Sequence, residues 1–210
     1  MNIIYIHGLD SDANSTKGVL LEKYCQQYHP DISVYRPDLN SAPEQVFEQL
    51  VKLVTQLCRD AETVLIGSSL GGYFSTLVSN HTGCAALLLN PSTQPHITLQ
   101  RFASESSSTA SGESETLNNE MLHTTAGGWH ITHADLQWFA AHPLESINYP
   151  DKIAVFIKEG DELLNPYLSR DFYRGLDARV VLQEGGDHRF SDFDVQLPIV
   201  IDTLQRLLQH

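Results

Sequence analysis

Positive charge is scarce in these 210 residues: 13 Lys and Arg stand against 26 Asp and Glu, a formal net charge of −13 at pH 7. No local cluster of Lys or Arg offsets the deficit. Such a surface repels a phosphate backbone and an anionic bilayer, so nucleic acid and charged membranes are poor partners. Cysteine is scarce too. Cys25, Cys58 and Cys84 form an odd, scattered set without metal-ligand spacing, which reads as free thiols in a reducing compartment and points to the cytoplasm. Long apolar runs are missing: no stretch approaches ~18 uninterrupted apolar residues, so no membrane span is expected. The opening "MNIIYIHG" lacks a basic segment and is expected to be neither a signal peptide nor a span. With 41% hydrophobic and 19% charged residues the composition is that of a folded chain, and the length leads us to expect one domain.

What is present is alternation. Short apolar runs at Asn2–His7, Ile32–Pro37, Thr63–Gly67, Ala85–Asn90, Ile153–Lys158 and Ala178–Gln183 are nearly continuous, the pattern of strands covered on both faces. Segments of helical spacing separate them. Lys17–Tyr28 aligns Val19 or Leu20, Lys23 or Tyr24, and Gln27 or Tyr28, with Ser15 and Thr16 as cap candidates. In Ala42–Asp60, Ser41 is a cap candidate, Pro43 and Glu44 suit a first turn, and Val46, Leu50, Leu53, Val54 and Leu57 form an apolar stripe. Asp194–Leu208 carries Leu197, Val200, Ile201, Leu204 and Leu208 on one side, with Pro198 near enough its start to be tolerated. This order predicts a three-layer α/β/α sandwich around a mostly parallel sheet.

Residues 93–150 interrupt the order. No strand is evident there, Ala103–Glu120 is rich in Ser, Thr and Glu without apolar period, and Asp135–Ala141 reads as a short helix packing Leu136, Phe139 and Ala140. A polar surface loop and a lid over a site are both open readings of this insertion.

Chemistry concentrates in "TVLIGSSLGGYFSTLV", Thr63–Val78. In a sharp strand-to-helix turn with serine at its apex, the positions two before and two after the serine crowd together and must be small. An apex at Ser69 puts Gly67 and Gly71 there, whereas an apex at Ser68 would put Ile66 and Leu70 there. Ser69 is therefore the candidate nucleophile. No lysine accompanies the glycines, which argues against a phosphate-cradling turn.

A serine hydroxyl needs a histidine to take its proton and a carboxylate to hold that imidazole. His188 in "EGGDHRFSDF" follows the last apolar run, in the zone where open sheets gather their sites. Asp161 follows the preceding run directly after Gly160; Glu159 and Glu162 are adjacent alternatives, and Asp187, next to His188 where such geometry is rare, is expected to hydrogen-bond within its loop. The developing oxyanion needs two donors. The Leu70 N–H at the start of the following helix is one, and the Leu9 N–H in "YIHGLDSD" is the other. His7 precedes the serine and is expected to bond within its loop. His130, His133 and Asp135 in "HITHAD" are expected to be surface or packing residues, and no metal or other cofactor is expected. Tyr73, Phe74, Trp129 and Trp138 are candidates for an acyl pocket, with core packing the commoner role for such side chains.

With "YIHGLDS", "IGSSLGGYFST", "LNPS", "GDELL" and "EGGDHRFSDF" in this order, the chain resembles the α/β-hydrolase superfamily, and within it the small bacterial esterases of the YqiA-like family. The resemblance runs through nearly the whole length. It implies the α/β-hydrolase fold, Ser69 as nucleophile, Asp161 as acid, His188 as base, Leu9 and Leu70 as oxyanion donors, and cofactor-free hydrolysis of small-molecule acyl esters or thioesters. The insertion departs from a compact cap. Amide, peptide or lactone hydrolysis with the same triad, and a non-catalytic binding protein on this scaffold, are the rival readings.

Overall fold

The computed structural model describes residues 1–106 and 120–209. In chain order the elements are β1 (Asn2–Ile6), α1 (Thr16–Tyr28), β2 (Ser33–Tyr35), α2 (Pro43–Leu57), β3 (Thr63–Ser68), α3 (Leu70–Thr82) and β4 (Ala85–Leu89). An inserted group follows: α4 (Pro95–Thr98), α5 (Gln100–Ser106), β5 (Met121–Thr124), β6 (His130–Thr132) and α6 (His133–Ala141). The chain then completes β7 (Ile153–Lys158), α7 (Pro166–Gly175), β8 (Arg179–Gln183) and α8 (Phe193–Leu207).

Six strands form one sheet in the order β2-β1-β3-β4-β7-β8, every neighbouring pair parallel. Parallel pairs need crossovers, and right-handed crossovers fix which face each helix covers. Strand order runs outward from β1 to β2, then reverses and advances through β3 to β8, so the helices fall on opposite faces. Two buried clusters record this: α1 and α8 share one, while α2, α3, α7 and the inserted group share the other. Strand residues alternate between them. Ile4, Ile6, Leu65, Ala86, Leu88 and Val155 face one layer; Ile3, Tyr5, Val64, Ile66, Leu87 and Phe156 face the other. Burial on both faces is the reason the runs read as continuous rather than alternating. The result is a three-layer α/β/α sandwich.

The outer strands depart from that pattern. β2 is only three residues long and Ser33 and Tyr35 are exposed, as are Arg179 and Val181 of β8. Edge strands have a neighbour on one side only, so burial there is partial. In α1 the buried line is Gly18, Leu21 and Cys25 rather than the one expected through residues 19, 20, 23, 24, 27 and 28. The helix lies so close to β1 that a Cβ on Gly18 would sit 2.9 Å from the Tyr5 ring, and small residues mark that contact. Neither expected serine cap forms: Ser15 stands at the N-cap of α1 without a side-chain bond, and Ala42, not Ser41, precedes α2. Pro198 lies five residues past the start of α8, inside the helix.

The insertion contains a strand pair that the sequence did not announce. β5 and β6 form an antiparallel hairpin around Thr125–Trp129. Each strand is too short and mixed to show a period, and Gly128 turns the chain at φ 91°. Thr132 and Asp135 then form a capping box at the start of α6, which begins two residues before its expected start. The polar stretch read as a surface loop lies mostly outside the described residues. No helix among the described residues is long and apolar enough to cross a membrane.

Candidate active site

Reversal of strand order between β1 and β3 opens a crevice at the C-terminal ends of those strands, the usual place for a site in an open parallel sheet. Ser69 stands there, between β3 and α3, at φ 55° and ψ −118°. A non-glycine residue in that region is strained by roughly 1–3 kcal/mol, and surrounding bonds hold it. Its N–H donates to Leu89 O at 3.0 Å, and its carbonyl accepts from Gly72 at 2.9 Å and Ser92 at 3.0 Å. The small residues around it are required sterically. A Cβ on Gly67 would overlap Ser75 Oγ and Gly71 O, and one on Gly71 would overlap Ile6 O. Ser68, the other serine, is buried as the last residue of β3.

Loops after β7 and β8 bring the other two candidates to Ser69. His188 Nε2 lies 3.0 Å from Ser69 Oγ, and His188 Nδ1 lies 2.9 and 2.8 Å from the two carboxylate oxygens of Asp161. The Asp161 side chain is 2% exposed. Its Oδ1 also accepts the N–H groups of Leu163 at 2.9 Å and Leu164 at 2.8 Å. A carboxylate accepts only, so the ring proton belongs on Nδ1 and the Nε2 lone pair is left facing the Ser69 hydroxyl.

The alternative acids are engaged elsewhere. Glu159 accepts from the Tyr167 hydroxyl at 2.5 Å, and Glu162 accepts the backbone N–H of His188 at 3.0 Å. Asp187 Oδ1 accepts from Ser191 N at 3.0 Å. Hydrogen bonding from Ser191 holds the Asp187 carboxyl below the ordinary carboxylate range, against some desolvation.

The first loop supplies the oxyanion candidates. A Cβ on Gly8 would lie 3.1 Å from both Ser69 Cβ and Ser68 O, so this backbone passes directly over the turn at Ser68 and Ser69. His7 fixes it: Nε2 accepts from Leu39 N at 3.1 Å, which leaves the proton on Nδ1 to donate to Gly8 O at 2.9 Å. His7 therefore bonds within its own loop and to the next. Among the described residues, neither the Leu9 nor the Leu70 N–H has an acceptor in the chain. Leu70 is the first residue of α3, where the N–H is free by construction and the helix dipole is positive.

Sequence reasoning did not single out the support beneath His188. Asn90, at the end of β4, donates from Nδ2 to Asp187 O at 3.0 Å and His188 O at 3.2 Å. Its Oδ1 accepts from Lys158 N at 2.8 Å. Lys158 in turn reaches Asp192 Oδ2 at 2.5 Å and lies 4.6 Å over the Phe190 ring. Desolvation raises the Asp192 carboxyl, but the bonds from Lys158 and Gln196 outweigh it and the net shift is downward. A polar residue closing an apolar strand before proline, "LLLNP", was the available signal.

His130 Nδ1 pairs with Thr124 Oγ1 at 2.8 Å, and Asp135 is occupied by its capping box. Of the aromatic candidates, Phe74 and Trp129 line a small cavity together with Leu9 and Leu70. Tyr73 is buried with its hydroxyl on His142 O at 2.6 Å, and Trp138 stacks on the His142 ring.

Sheet, turn and crossing helices define an α/β-hydrolase fold. Est1E from Butyrivibrio proteoclasticus matches with a TM-score of 0.75 at 13% identity, over 100% of this chain and 88% of that one. The ydeN gene product from B. subtilis matches with a TM-score of 0.61 at 16% identity, over 100% and 99%. Polyneuridine aldehyde esterase matches with a TM-score of 0.60 at 14% identity, over 99% and 98%. Within that fold, the chain belongs to UPF0227, an uncharacterised protein family, whose match spans residues 2–205.

Proposed function

We propose that this protein is a serine hydrolase of the YqiA-like esterase type, cleaving carboxylic ester or thioester bonds of small acyl substrates through an acyl-enzyme. The observation that carries the reading is the continuous relay from Asp161 through His188 to Ser69, with every link at 3.0 Å or less. His188 Nε2 takes the Ser69 proton as Oγ attacks the substrate carbonyl, and Asp161 stabilises the imidazolium. The carbonyl electron pair moves to oxygen, where the Leu9 and Leu70 N–H groups receive the charge; one such donor is worth roughly 3–4 kcal/mol. Collapse expels the alcohol or thiol, protonated by His188. Water, deprotonated by the same histidine, then releases the acid and restores Ser69.

Residues 1–210 are read as one hydrolase domain, with 93–150 a lid-like insertion. Free thiols at Cys25, Cys58 and Cys84 favour a cytoplasmic location. Turnover of p-nitrophenyl acetate and an acetyl thioester, measured for wild type and Ser69→Ala, tests the activity. Hydrolysis lost in Ser69→Ala supports the reading; a folded wild type that turns over neither substrate leaves the binding-protein alternative.

A further inference from the structure

The Leu9 N–H belongs to the loop between β1 and α1, so its aim depends on what fastens that loop on either side. Before Leu9, His7 bonds to Gly8 O and Leu39 N. After Leu9, the fastening comes from outside the sheet. Asp10 Oδ1 accepts the N–H of Ala126, at the tip of the inserted hairpin, at 3.0 Å, and His123 Nε2 of the same hairpin stands 3.9 Å from that oxygen. Ser11 O accepts from Asn40 Nδ2 at 2.9 Å, and Asn40 in turn accepts from Thr125 Oγ1 of the hairpin at 3.5 Å. A Cβ on Gly127 would lie 2.1 Å from the Asn40 side chain, so hairpin and second loop pack without a gap.

Asp10 also sits at φ 55°, in the left-handed region that Asp and Asn tolerate better than most residues and that the surroundings must hold. Among the described residues, the hydrogen bonds that join residues 9–11 to other parts of the chain run to the hairpin tip and to Asn40. Gly8 lies against Ser69, so a small rotation of the peptide that follows it turns the Leu9 N–H away from the place where charge develops on the substrate oxygen. We infer that Asp10 is a positioning residue for the oxyanion donor, and that the inserted hairpin, through Asp10 and Asn40, sets how well the Leu9 N–H meets that charge. The inference deepens the proposed hydrolase reading and rests on Ser69 and Leu9 acting there as nucleophile and donor.

The test is steady-state hydrolysis of p-nitrophenyl acetate by the full chain, together with inhibition by a trifluoromethyl ketone, whose adduct with the serine carries an oxyanion in the same place. Asp10→Gly keeps the left-handed backbone but removes the acceptor for Ala126, and Gly127→Ala forces Asn40 aside from within the hairpin. Each is expected to lower kcat about ten-fold with KM little changed, within the ~10²-fold that a 1 Å misplacement can cost. The inhibitor Ki should rise by the same factor, since the adduct resembles the transition state. Asp10→Asn retains an acceptor oxygen and the same tolerance of positive φ, so its kcat and Ki should stay within about two-fold of wild type. Wild-type kcat and Ki in folded Asp10→Gly and Gly127→Ala, or a lowered melting temperature with Ki unchanged, would overturn the inference. So would a loss in Asp10→Asn as large as in Asp10→Gly. Labelling of Ser69 by a compact fluorophosphonate keeps the two levels apart. A labelled serine with unchanged variants removes the positioning role alone, whereas an unlabelled serine with no turnover removes the nucleophile and this inference together.

Discussion

Truncating Asn90 removes the support of the histidine loop without touching the relay. Asn90→Ala deletes three hydrogen bonds: the two donated to Asp187 O and His188 O, and the one accepted from Lys158 N. Lys158 is 3% exposed, so its N–H would be left without an acceptor or water, a cost of ~1–3 kcal/mol. The two carbonyls belong to half-buried residues and recover some hydration, so their loss adds about 1 kcal/mol in all. A total near 3 kcal/mol corresponds to a fall in Tm of about 6–12 °C for a chain of this length. Displacement of the ring by a fraction of an ångström should lower kcat about 10- to 100-fold, with KM little changed. Asn90→Asp separates support from packing: it keeps shape and the acceptor for Lys158 but faces the two carbonyls with oxygen in place of a donor. It should lose as much activity as alanine. Thermal melting and p-nitrophenyl acetate kinetics on both variants decide the matter, and an unchanged Tm with wild-type kcat in Asn90→Ala would refute the reasoning.

Other perturbations give sharp expectations. Gly71→Ala drives a Cβ into the Ile6 carbonyl, which is fixed in the sheet, so a loss at the upper end of the ~1–3 kcal/mol overpacking range should appear as a lowered melting temperature. Asp161→Asn should lower kcat by up to ~10⁴, the loss that the wrong imidazole tautomer causes in the serine-protease template, while Asp187→Asn should cost far less; the reverse order in steady-state kinetics would move the acid to Asp187. Burial pushes the Cys25 thiol up to about 11 and the Cys84 thiol up to about 12, so at pH 8 their thiolates are suppressed. A thiol-reactive chromophore should therefore titrate exposed Cys58 alone in the native protein and all three cysteines after denaturation.

Much of the candidate site's geometry is legible in the sequence because it depends on short-range rules. The crowding that makes Gly67 and Gly71 obligatory is a property of one turn, and it selects Ser69 over Ser68 before any fold is known. Asp161 and His188 were readable because parallel strands deliver their following loops to one edge, so order along the chain translates into proximity. The support from Asn90 was not readable, since it depends on how deep β4 sits between β3 and β7 and which loop crosses its end. The face of α1 was misjudged for a related reason: Gly18 and Cys25 contribute to packing through smallness, which a hydrophobic stripe does not register. The β5–β6 hairpin escaped because antiparallel pairing lets three or four residues suffice when a tryptophan and an isoleucine anchor them from behind, here Trp129 and Ile131.

In the proposed reaction Ser69, and not its neighbour, carries the acyl group. Intact-mass analysis after incubation with a fluorophosphonate tests it directly, using wild type, Ser68→Ala and Ser69→Ala. A single covalent adduct is expected on wild type and Ser68→Ala and none on Ser69→Ala. An adduct that persists in Ser69→Ala and disappears in Ser68→Ala would contradict it.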